Sequence, residues 1–403
     1  MRLSLAANFD EALLPQLRPY PVTEIFGQLN RDPVGGGRAR FMLAPVGRRR
    51  FASYVAAVHR EDLQFNYLLN AACLGNREFD RGWQRDLRRL LDWLAELGVE
   101  TVTVSLPFLL ETVKRNYPQF RVKVGVFAKI STPQQAAHWE RLGADCLTLE
   151  SFSVNREFAR LRALRAAVAC ELQLLANSNC LQSCPFSPYH MVGLSHASRP
   201  GRGRFFVDYC LLRCSTLKLA EPANYVRSEW IRPEDLHLYE EIGYDSFKLV
   251  ERGAPSEVLL TRVQAYAARR YDGNLLDLIQ PFGYRTVESP GQPKRPRWWE
   301  LREFLRPWRA SPARLWKWRE LAKLRGMNYP LQGAPVYLDN RALDGFLEPF
   351  LEQGCADRDC EHCGYCAEVA ARAVRVDPEH RARCVALGEA ILDDMTSGTM
   401  WGL

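Results

Sequence analysis

The sequence predicts an α/β protein whose main part is a (β/α)8 TIM-like barrel, followed by a Cys-rich C-terminal extension. Eight short runs rich in β-branched or aromatic residues occur in its first 250 residues, and a closed parallel barrel requires eight strands. Segments with the apolar spacing of helices lie between most of these runs. Strands that alternate with crossover helices are typical of parallel sheets, so a barrel is the simplest arrangement of this pattern.

The predicted strands occupy residues 3–7, 23–28, 64–69, 101–105, 121–127, 145–150, 171–176 and 245–250. Residues 82–97 and 132–142 are examples of the predicted helices between them, and Leu87, Leu90, Leu91 and Leu94 share one face of the first. We expect a barrel over residues 1–271 with a cysteine-bearing insertion at 177–230. A basic Pro/Trp-rich connecting segment at 272–326 and a C-terminal Cys-cluster region at 327–403 follow it.

Composition narrows the class of protein. The chain has 403 residues, of which 47% are hydrophobic and 25% are charged, as expected for an ordinary globular protein with an accessory region. The first residues lack the apolar core of a secretory signal, and no apolar run has the length of a membrane span. We therefore expect a cytoplasmic location with no membrane span, where the thiols are reduced and cysteine spacings indicate metal ligands.

Two C-x3-C pairs, Cys180/Cys184 and Cys210/Cys214, lie within one segment of 35 residues. Four converging thiolates can hold an iron–sulfur cluster or a zinc ion. Ferredoxins and zinc ribbons mostly use C-x2-C pairs, so the wider spacing favours a cluster held between loops. The alternative is four unrelated buried cysteines.

A second group comprises Cys355, Cys360, Cys363 and Cys366, four cysteines within twelve residues. The C-x2-C-x2-C spacing at its end is typical of ligands to a second cluster or to zinc. Cys146 and Cys170 lie in apolar runs, where a cysteine usually acts as a small buried hydrophobe.

Polar residues at the ends of the predicted strands are the candidates for an active site. In barrels of this class the loops after the strands build that site. We predict catalytic roles for Lys129, Glu150 and Lys248, and substrate-binding roles for Asn70, Asn177 and Asn179. Each of them taken singly could instead cap a loop or lie on the surface.

Several stretches resemble the barrel of the peptidase U32 family. They are residues 98–108, 122–132 and 142–145, and then 232–236 leading into 243–248, where a helix start precedes the last strand. The resemblance covers roughly residues 60–270. One departure concerns the end of the last strand, where Glu251 and Arg252 are shifted by one residue from the family pattern.

The resemblance implies a 4Fe-4S cluster, with Cys180, Cys184, Cys210 and Cys214 at the matching cysteines. It also implies an enzyme, or a subunit of one, that transfers hydroxyl groups without molecular oxygen, with prephenate as the hydroxyl donor. Members of the family act in ubiquinone hydroxylation and on bases of tRNA and ribosomal RNA. The acceptor is thus expected to be a small molecule or an RNA base. Peptidase activity finds no support, since the sequence lacks a nucleophile–base pattern and a His-Glu-x-x-His motif.

The basic segment keeps other functions open. Residues 291–326 carry a net charge of +8 and half of the ten tryptophans, which leaves about −1 for the rest of the chain. Cations between large flat rings suit RNA, as in an RNA-binding modification factor, and could also contact a protein partner. The same residues have helical spacing and could pack on the barrel instead. A zinc-stabilised interaction protein without catalysis is the third alternative.

If the segment from Trp298 to Arg325 binds RNA, its affinity should fall about tenfold or more between 50 and 200 mM salt, because neutralising about three phosphates releases their counterions. Fluorescence anisotropy with a labelled RNA measures this. Changing Arg302, Arg306 and Arg309 together to Gln should weaken binding, whereas the same change at Arg85, Arg88 and Arg89 should not. Salt-insensitive or undetectable binding would favour packing on the barrel.

Overall fold

The computed structural model describes residues 1–40, 43, 45–199, 207–279, 311–323, 335–356 and 358–403. Eight parallel strands close into a barrel in which neighbours in sequence are neighbours in space, and the last strand pairs with the first. The predicted (β/α)8 barrel is confirmed. Its strands are β1 (Arg2–Ala6), β2 (Val22–Gly27), β3 (Gln64–Leu69), β4 (Thr101–Val104), β5 (Arg121–Val124), β6 (Cys146–Thr148), β7 (Glu171–Leu175) and β8 (Ser246–Leu249).

Helices surround the barrel and build the long connection between β7 and β8. They are α1 (Arg48–Arg60), α2 (Arg81–Glu96), α3 (Pro107–Asn116), α4 (Pro133–Arg141), α5 (Ser151–Val154), α6 (Phe158–Ala167), α7 (Ser187–Ser198), α8 (Tyr209–Ala220), α9 (Ala223–Arg227), α10 (Leu236–Glu240), α11 (Ser256–Ala268) and α12 (Leu276–Ile279). None of the helices in the described part of the chain has the length and apolar character that a membrane crossing requires.

Local sequence explains where these helices begin. The Asp80 carboxylate accepts a hydrogen bond from the Trp83 N–H at 2.8 Å and so caps α2. Thr132 and Gln135 form a reciprocal capping box at the start of α4. Predicted strands 121–127 and 145–150 extend beyond the observed β5 and β6, because a 3-10 turn and α5 follow these strands closely.

The barrel interior holds a buried polar network. The Lys123 ammonium lies 2.8 Å from the Glu24 carboxylate, and Asn66 donates to the same carboxylate at 3.1 Å. Thr103 in turn donates to Asn66 at 2.8 Å. Burial favours a neutral Glu24, but the charges of Lys123 and Lys248 and the hydrogen bonds from Lys123 and Asn66 together outweigh it and hold the pKa of Glu24 below its usual value. Lys123 and Glu24 are therefore paired inside the barrel, which offsets the cost of burying their charges.

The C-terminal extension packs against the barrel. Its described elements are α13 (Pro312–Lys323), β9 (Val336–Leu338), α14 (Glu348–Glu352), α15 (Cys360–Cys363), α16 (Tyr365–Ala373), β10 (Val374–Val376) and α17 (Pro378–Thr396). Asn274 donates to the Val336 carbonyl at 3.0 Å, and Arg232 donates to the Asn340 carbonyl at 2.8 Å. The basic segment predicted to bind RNA or to pack lies mostly outside the described residues, which include only 311–323 of it.

Replacing Lys123 by Met should destabilise the protein by about 3–5 kcal/mol, because Glu24 then remains buried without its partner. Urea unfolding of the two proteins at pH 7 measures the difference. Arg89→Met is the control: Arg89 pairs with Asp86 at 3.8 Å on the surface, and its loss should cost less than about 1 kcal/mol. Equal stability of the Lys123 variant and wild type would show that the interior pair contributes nothing.

Candidate active site at the barrel mouth

Four of the predicted metal ligands lie in the connection between β7 and β8, at the barrel end where the strands finish. Cys180 and Cys184 stand in the loop before α7, whereas Cys210 and Cys214 lie one turn apart on α8. Residues four apart share one face of a helix, so the C-x3-C spacing turns both α8 thiols in the same direction. Asp208 caps this helix and fixes where it begins.

The structure brings these thiols near one another. The charge of Cys214 acts on the pKa of Cys180 and of Cys210, and that of Cys184 acts on the pKa of Cys214. Burial raises the pKa of Cys180 and of Cys210 to about 12, and that of Cys214 to about 11. The thiols are therefore protonated at neutral pH, and binding of a metal would release their protons.

The donor chemistry of this group fits an iron–sulfur cluster. Among the described residues, no three His, Cys, Asp or Glu side chains converge closely enough to hold a metal ion. A buried cation, however, stands beside the thiols: Lys218 is 2% exposed and lies one helical turn beyond Cys214. Burial lowers the pKa of Lys218, and the charges of Cys214 and Cys180 oppose that shift. Four thiolates around iron carry net negative charge, which this cation is placed to compensate.

Lys129 and Glu150 form an ion pair between the loops that follow β5 and β6. Their charged atoms lie 3.1 Å apart. Lys129 also donates to Ser187 Oγ at 2.9 Å, and Ser153 donates to Glu150 at 2.7 Å. Ser187 begins α7, so the pair joins the barrel strands to the cysteine-bearing connection. With 37% of its side chain exposed, Lys129 remains accessible from the mouth.

Lys248 lies within β8, inside the barrel, and not beyond the strand end where the sequence placed it. Its side chain points inward because alternate residues of a barrel strand face the interior. The ammonium stands 4.1 Å from the centre of the Phe26 ring. Burial lowers the pKa of Lys248 to about 8, although the charge of Glu24 opposes this shift.

Two of the predicted substrate-binding asparagines already have partners in the protein. Asn177 donates to the carbonyls of Val250 at 3.1 Å and Leu278 at 3.2 Å, and it accepts from the Val250 N–H at 2.7 Å. It thereby holds the loop after β8 against the loop after β7. Asn179 accepts at its Oδ1 from Lys218 at 2.6 Å, which orients this lysine beside the thiols.

Asn70 follows β3 and lies beneath a glycine-rich loop. Its Oδ1 and the Oε1 of Gln28 are buried and have no hydrogen-bond partner in the described part of the chain. Both oxygens face Gly36, where a Cβ would come within 2.2 Å of Gln28 and 2.7 Å of Asn70. The Gly36 N–H donates to Ser198 Oγ at 2.8 Å and holds the loop in place. The two amides offer unused hydrogen-bonding capacity at the mouth.

Arg252 is a buried cation directly beyond β8. Its side chain is 9% exposed, and its Nη1 has no hydrogen-bond partner among the residues that the structure describes. The neighbouring Glu251 is engaged by Arg38 at 2.5 Å. Burial lowers the pKa of Arg252 to about 10, so the guanidinium is charged at neutral pH. A charged guanidinium with an unused donor suits a carboxylate or phosphate oxygen.

A cavity of 720 Å³ lies on the flank of the barrel, between the segment after β2 and helices α1 and α2. It holds none of the predicted site residues. Its walls carry the cations Arg31, Arg48, Arg77 and Arg89 and the carboxylates Asp32, Asp86, Asp92 and Glu96. Because these charges balance, the cavity shows no preference for an anionic ligand.

The second cysteine group lies in the extension. Cys355 follows α14 and is buried, whereas Cys360 and Cys363 are exposed at the two ends of α15. Cys366 lies in the first turn of α16 and is half-buried. The two cysteine groups therefore belong to different segments of the fold.

Comparison with known proteins found similarity to a curated sequence and to solved structures. No protein-family model matches the chain. Among curated proteins, the chain is 28% identical over 343 residues to the uncharacterized protease MJ1657 of Methanocaldococcus jannaschii, across 85% of this chain and 86% of that protein. The resemblance to the peptidase U32 family is confirmed.

The chain is also similar to solved structures, including the following two. The U32 peptidase Mk0906 is 23% identical with a TM-score of 0.47, and the match covers 62% of this chain and 93% of that one. A D-psicose 3-epimerase studied in the presence of D-fructose is 9% identical with a TM-score of 0.36, and the match covers 67% of this chain and 96% of that one.

In this U32-like barrel, sequence reasoning missed several residues of the mouth. The shifted strand end argued against site roles for Glu251 and Arg252, yet both residues lie at the mouth. Glu251 has a φ of 115°, in the region that favours glycine. Glu229 is 2% exposed, and burial raises its pKa well above the usual value. Lys218 could have been found, because it stands four residues after Cys214 on the same helical face.

Lys248→Met should change how stability depends on pH. In the fold Lys248 loses its proton near pH 8, whereas in the unfolded chain it keeps the proton up to about 10.5. Since the unfolded wild type binds more protons between these values, its stability rises with pH there. Between pH 7 and pH 9 we expect wild type to gain about 1 kcal/mol relative to the variant, measured by urea unfolding. A pH-independent difference would mean that Lys248 keeps an ordinary pKa.

Proposed function

We propose that this chain is an iron–sulfur protein of the U32 type that hydroxylates its substrate without molecular oxygen. The observation that carries the proposal is that Cys180, Cys184, Cys210 and Cys214 lie in one connection beside the barrel mouth, with the buried cation Lys218 next to them. These four cysteines would hold the cluster. When bound, a cluster of this kind supplies one-electron transfer.

The mouth also contains groups suited to an anionic hydroxyl donor. Arg252 has an unused donor, and Lys248 lies near enough for the charge of Arg252 to lower its pKa. Two adjacent cations suit a carboxylated hydroxy compound, of which prephenate is an example. The donor would exchange its C–OH bond for a C–H bond while the acceptor does the reverse, so atoms and electrons balance between them.

The remaining mouth residues have roles that follow from their contacts. Glu150 is held by Lys129 and Ser153, which keeps its carboxylate in one orientation, where it can move a proton to or from a bound substrate. The amide oxygens of Asn70 and Gln28 can accept hydrogen bonds from N–H or O–H groups of the molecule that is hydroxylated. The acceptor is a small molecule or an RNA base, and both classes present the polar groups that such amides recognise.

Cys180→Ala and Cys214→Ala should each lose the barrel iron and its visible absorbance, because a cluster with four thiolate ligands needs all of them. The measurement is iron and acid-labile sulfide per chain after anaerobic purification. Cys73→Ala is the matched control: Cys73 is half-buried, belongs to neither cysteine group and should leave the iron unchanged. Wild-type iron in both Cys180 and Cys214 variants would overturn the cluster assignment.

The hydroxylation itself is tested in cells grown without oxygen. Mass spectrometry of RNA nucleosides and of small hydroxylated metabolites should show a product that lacks one oxygen atom when the gene is deleted. The wild-type gene should restore the product, and the Cys214→Ala gene should not. Peptide hydrolysis by the purified protein that persists in Cys214→Ala would favour a peptidase instead.

A further inference from the structure

Arg156 is a deeply buried cation at the junction between the barrel and the extension. It is 4% exposed, and its guanidinium lies 4.8 Å from the ring centres of both Trp230 and Phe346. Its Nη2 donates to the Val226 carbonyl at 2.7 Å. Its Nε and Nη1 are buried without a hydrogen-bond partner in the described ranges. Two donors of a buried charged group are thus unused, which is costly unless another group pairs with them.

The C-terminal cysteines border this guanidinium. The Cys355 N–H donates to the carboxylate of Glu157, the residue that follows Arg156. Tyr365, which precedes Cys366, stacks on Phe346 with ring centres 5.7 Å apart, and its hydroxyl donates to the Phe346 carbonyl at 3.1 Å. Cys355 is thus held next to Arg156 through Glu157, and Cys366 is held near it through Tyr365 and Phe346.

The acidic neighbours of Arg156 include these thiols. Burial lowers the pKa of Arg156, and the charges of Cys366, Tyr239, Cys355 and Glu229 oppose that shift in this order. Cys366 and Tyr239 have the two strongest of these effects on the pKa of Arg156. Cys366 belongs to the cysteine group, whereas the Tyr239 hydroxyl donates to the Asn155 carbonyl at 2.6 Å. Glu229 has the weakest effect of the four.

A second arginine approaches the same cysteines from α9. The Nε of Arg227 is buried without a hydrogen-bond partner among the described residues, while its Nη1 pairs with Glu221 at 2.5 Å. Helix α16, which carries Cys366, packs against α9. Burial raises the pKa of Cys360 and of Cys366, and the charge of Arg227 opposes that shift. A backbone hydrogen bond of Tyr365 lowers the pKa of Cys363, and the charge of Arg227 acts in the same direction.

We propose that Cys355, Cys360, Cys363 and Cys366 bind one metal centre through four thiolates, and that Arg156 and Arg227 neutralise its negative charge. Four thiolates around Zn²⁺ or around a 4Fe-4S cluster leave a net charge of about −2. Two arginines with unused N–H donors match this charge, and thiolate sulfurs accept such hydrogen bonds. The exposed Cys360 and Cys363 leave the site open to a metal ion from solvent.

The centre fastens the extension to the barrel. Cys355 and the α15–α16 cysteines belong to the extension, whereas Arg156 stands before α6 and Arg227 ends α9 in the barrel. Charge neutralisation across this junction makes metal binding and docking of the extension interdependent. The proposal does not depend on the barrel cluster, because its ligands and its cations are different residues.

The test compares full-length proteins purified anaerobically. Cys363→Ser should lose a metal centre that Cys180→Ala retains, by counts of zinc, iron and acid-labile sulfide; sulfide distinguishes an iron–sulfur cluster from zinc. Arg156→Met should bind the metal about 10–100-fold more weakly in competition with a chelator, the usual effect of removing a residue that supports metal ligands. Arg227→Met provides the same test if Arg156→Met does not fold.

Arg269→Met is the matched control, since Arg269 also pairs with a glutamate, Glu240 at 2.6 Å, but lies in the barrel away from the cysteines. It should bind metal as wild type does. The proposal is overturned if Cys363→Ser keeps the wild-type metal content, or if the folded arginine variants bind metal as tightly as Arg269→Met. Loss of iron in Cys180→Ala alone bears only on the barrel cluster.

Discussion

Closure of the barrel by β1 and β8 is the constraint on which the rest of the structure depends. Leu5 pairs with Leu249, and Ser4 pairs with Lys248, so the last strand returns to the first. Closure encloses the Glu24–Lys123 pair away from water, where a lone charge would be unstable. It also places the carboxyl ends of all eight strands on one face, so the long β7–β8 connection with its cysteines must lie beside the mouth.

A buried cation stands at each of the proposed sites. Lys248, Arg252, Lys218 and Arg156 are each less than one-tenth exposed. Burial lowers the pKa of each, so none is placed to maximise stability. Such groups persist where an anion compensates them, which is the common physical basis for the proposed donor site, the barrel cluster and the second metal centre.

The extension supports the cysteine-bearing helix of the barrel. Helix α17 packs along α8, which carries Cys210 and Cys214. Gly388 permits this approach, since a Cβ there would come within 2.3 Å of Thr216 Oγ1. The extension thus packs against α8, the helix that faces the loop with Cys180 and Cys184. This arrangement fixes the geometry of the mouth from residues far away in sequence.

The sequence by itself determined the barrel, its strand order and the separation of two cysteine groups, because apolar periodicity and ligand spacing are local properties. Only the tertiary structure decided which polar residues face one another. It placed Lys248 inside β8, gave Asn177 backbone partners, and brought the carboxylate of Glu157 to the Cys355 N–H, 198 residues further along the chain. Burial and pairing of charges arise from contacts between distant segments, so no local pattern encodes them.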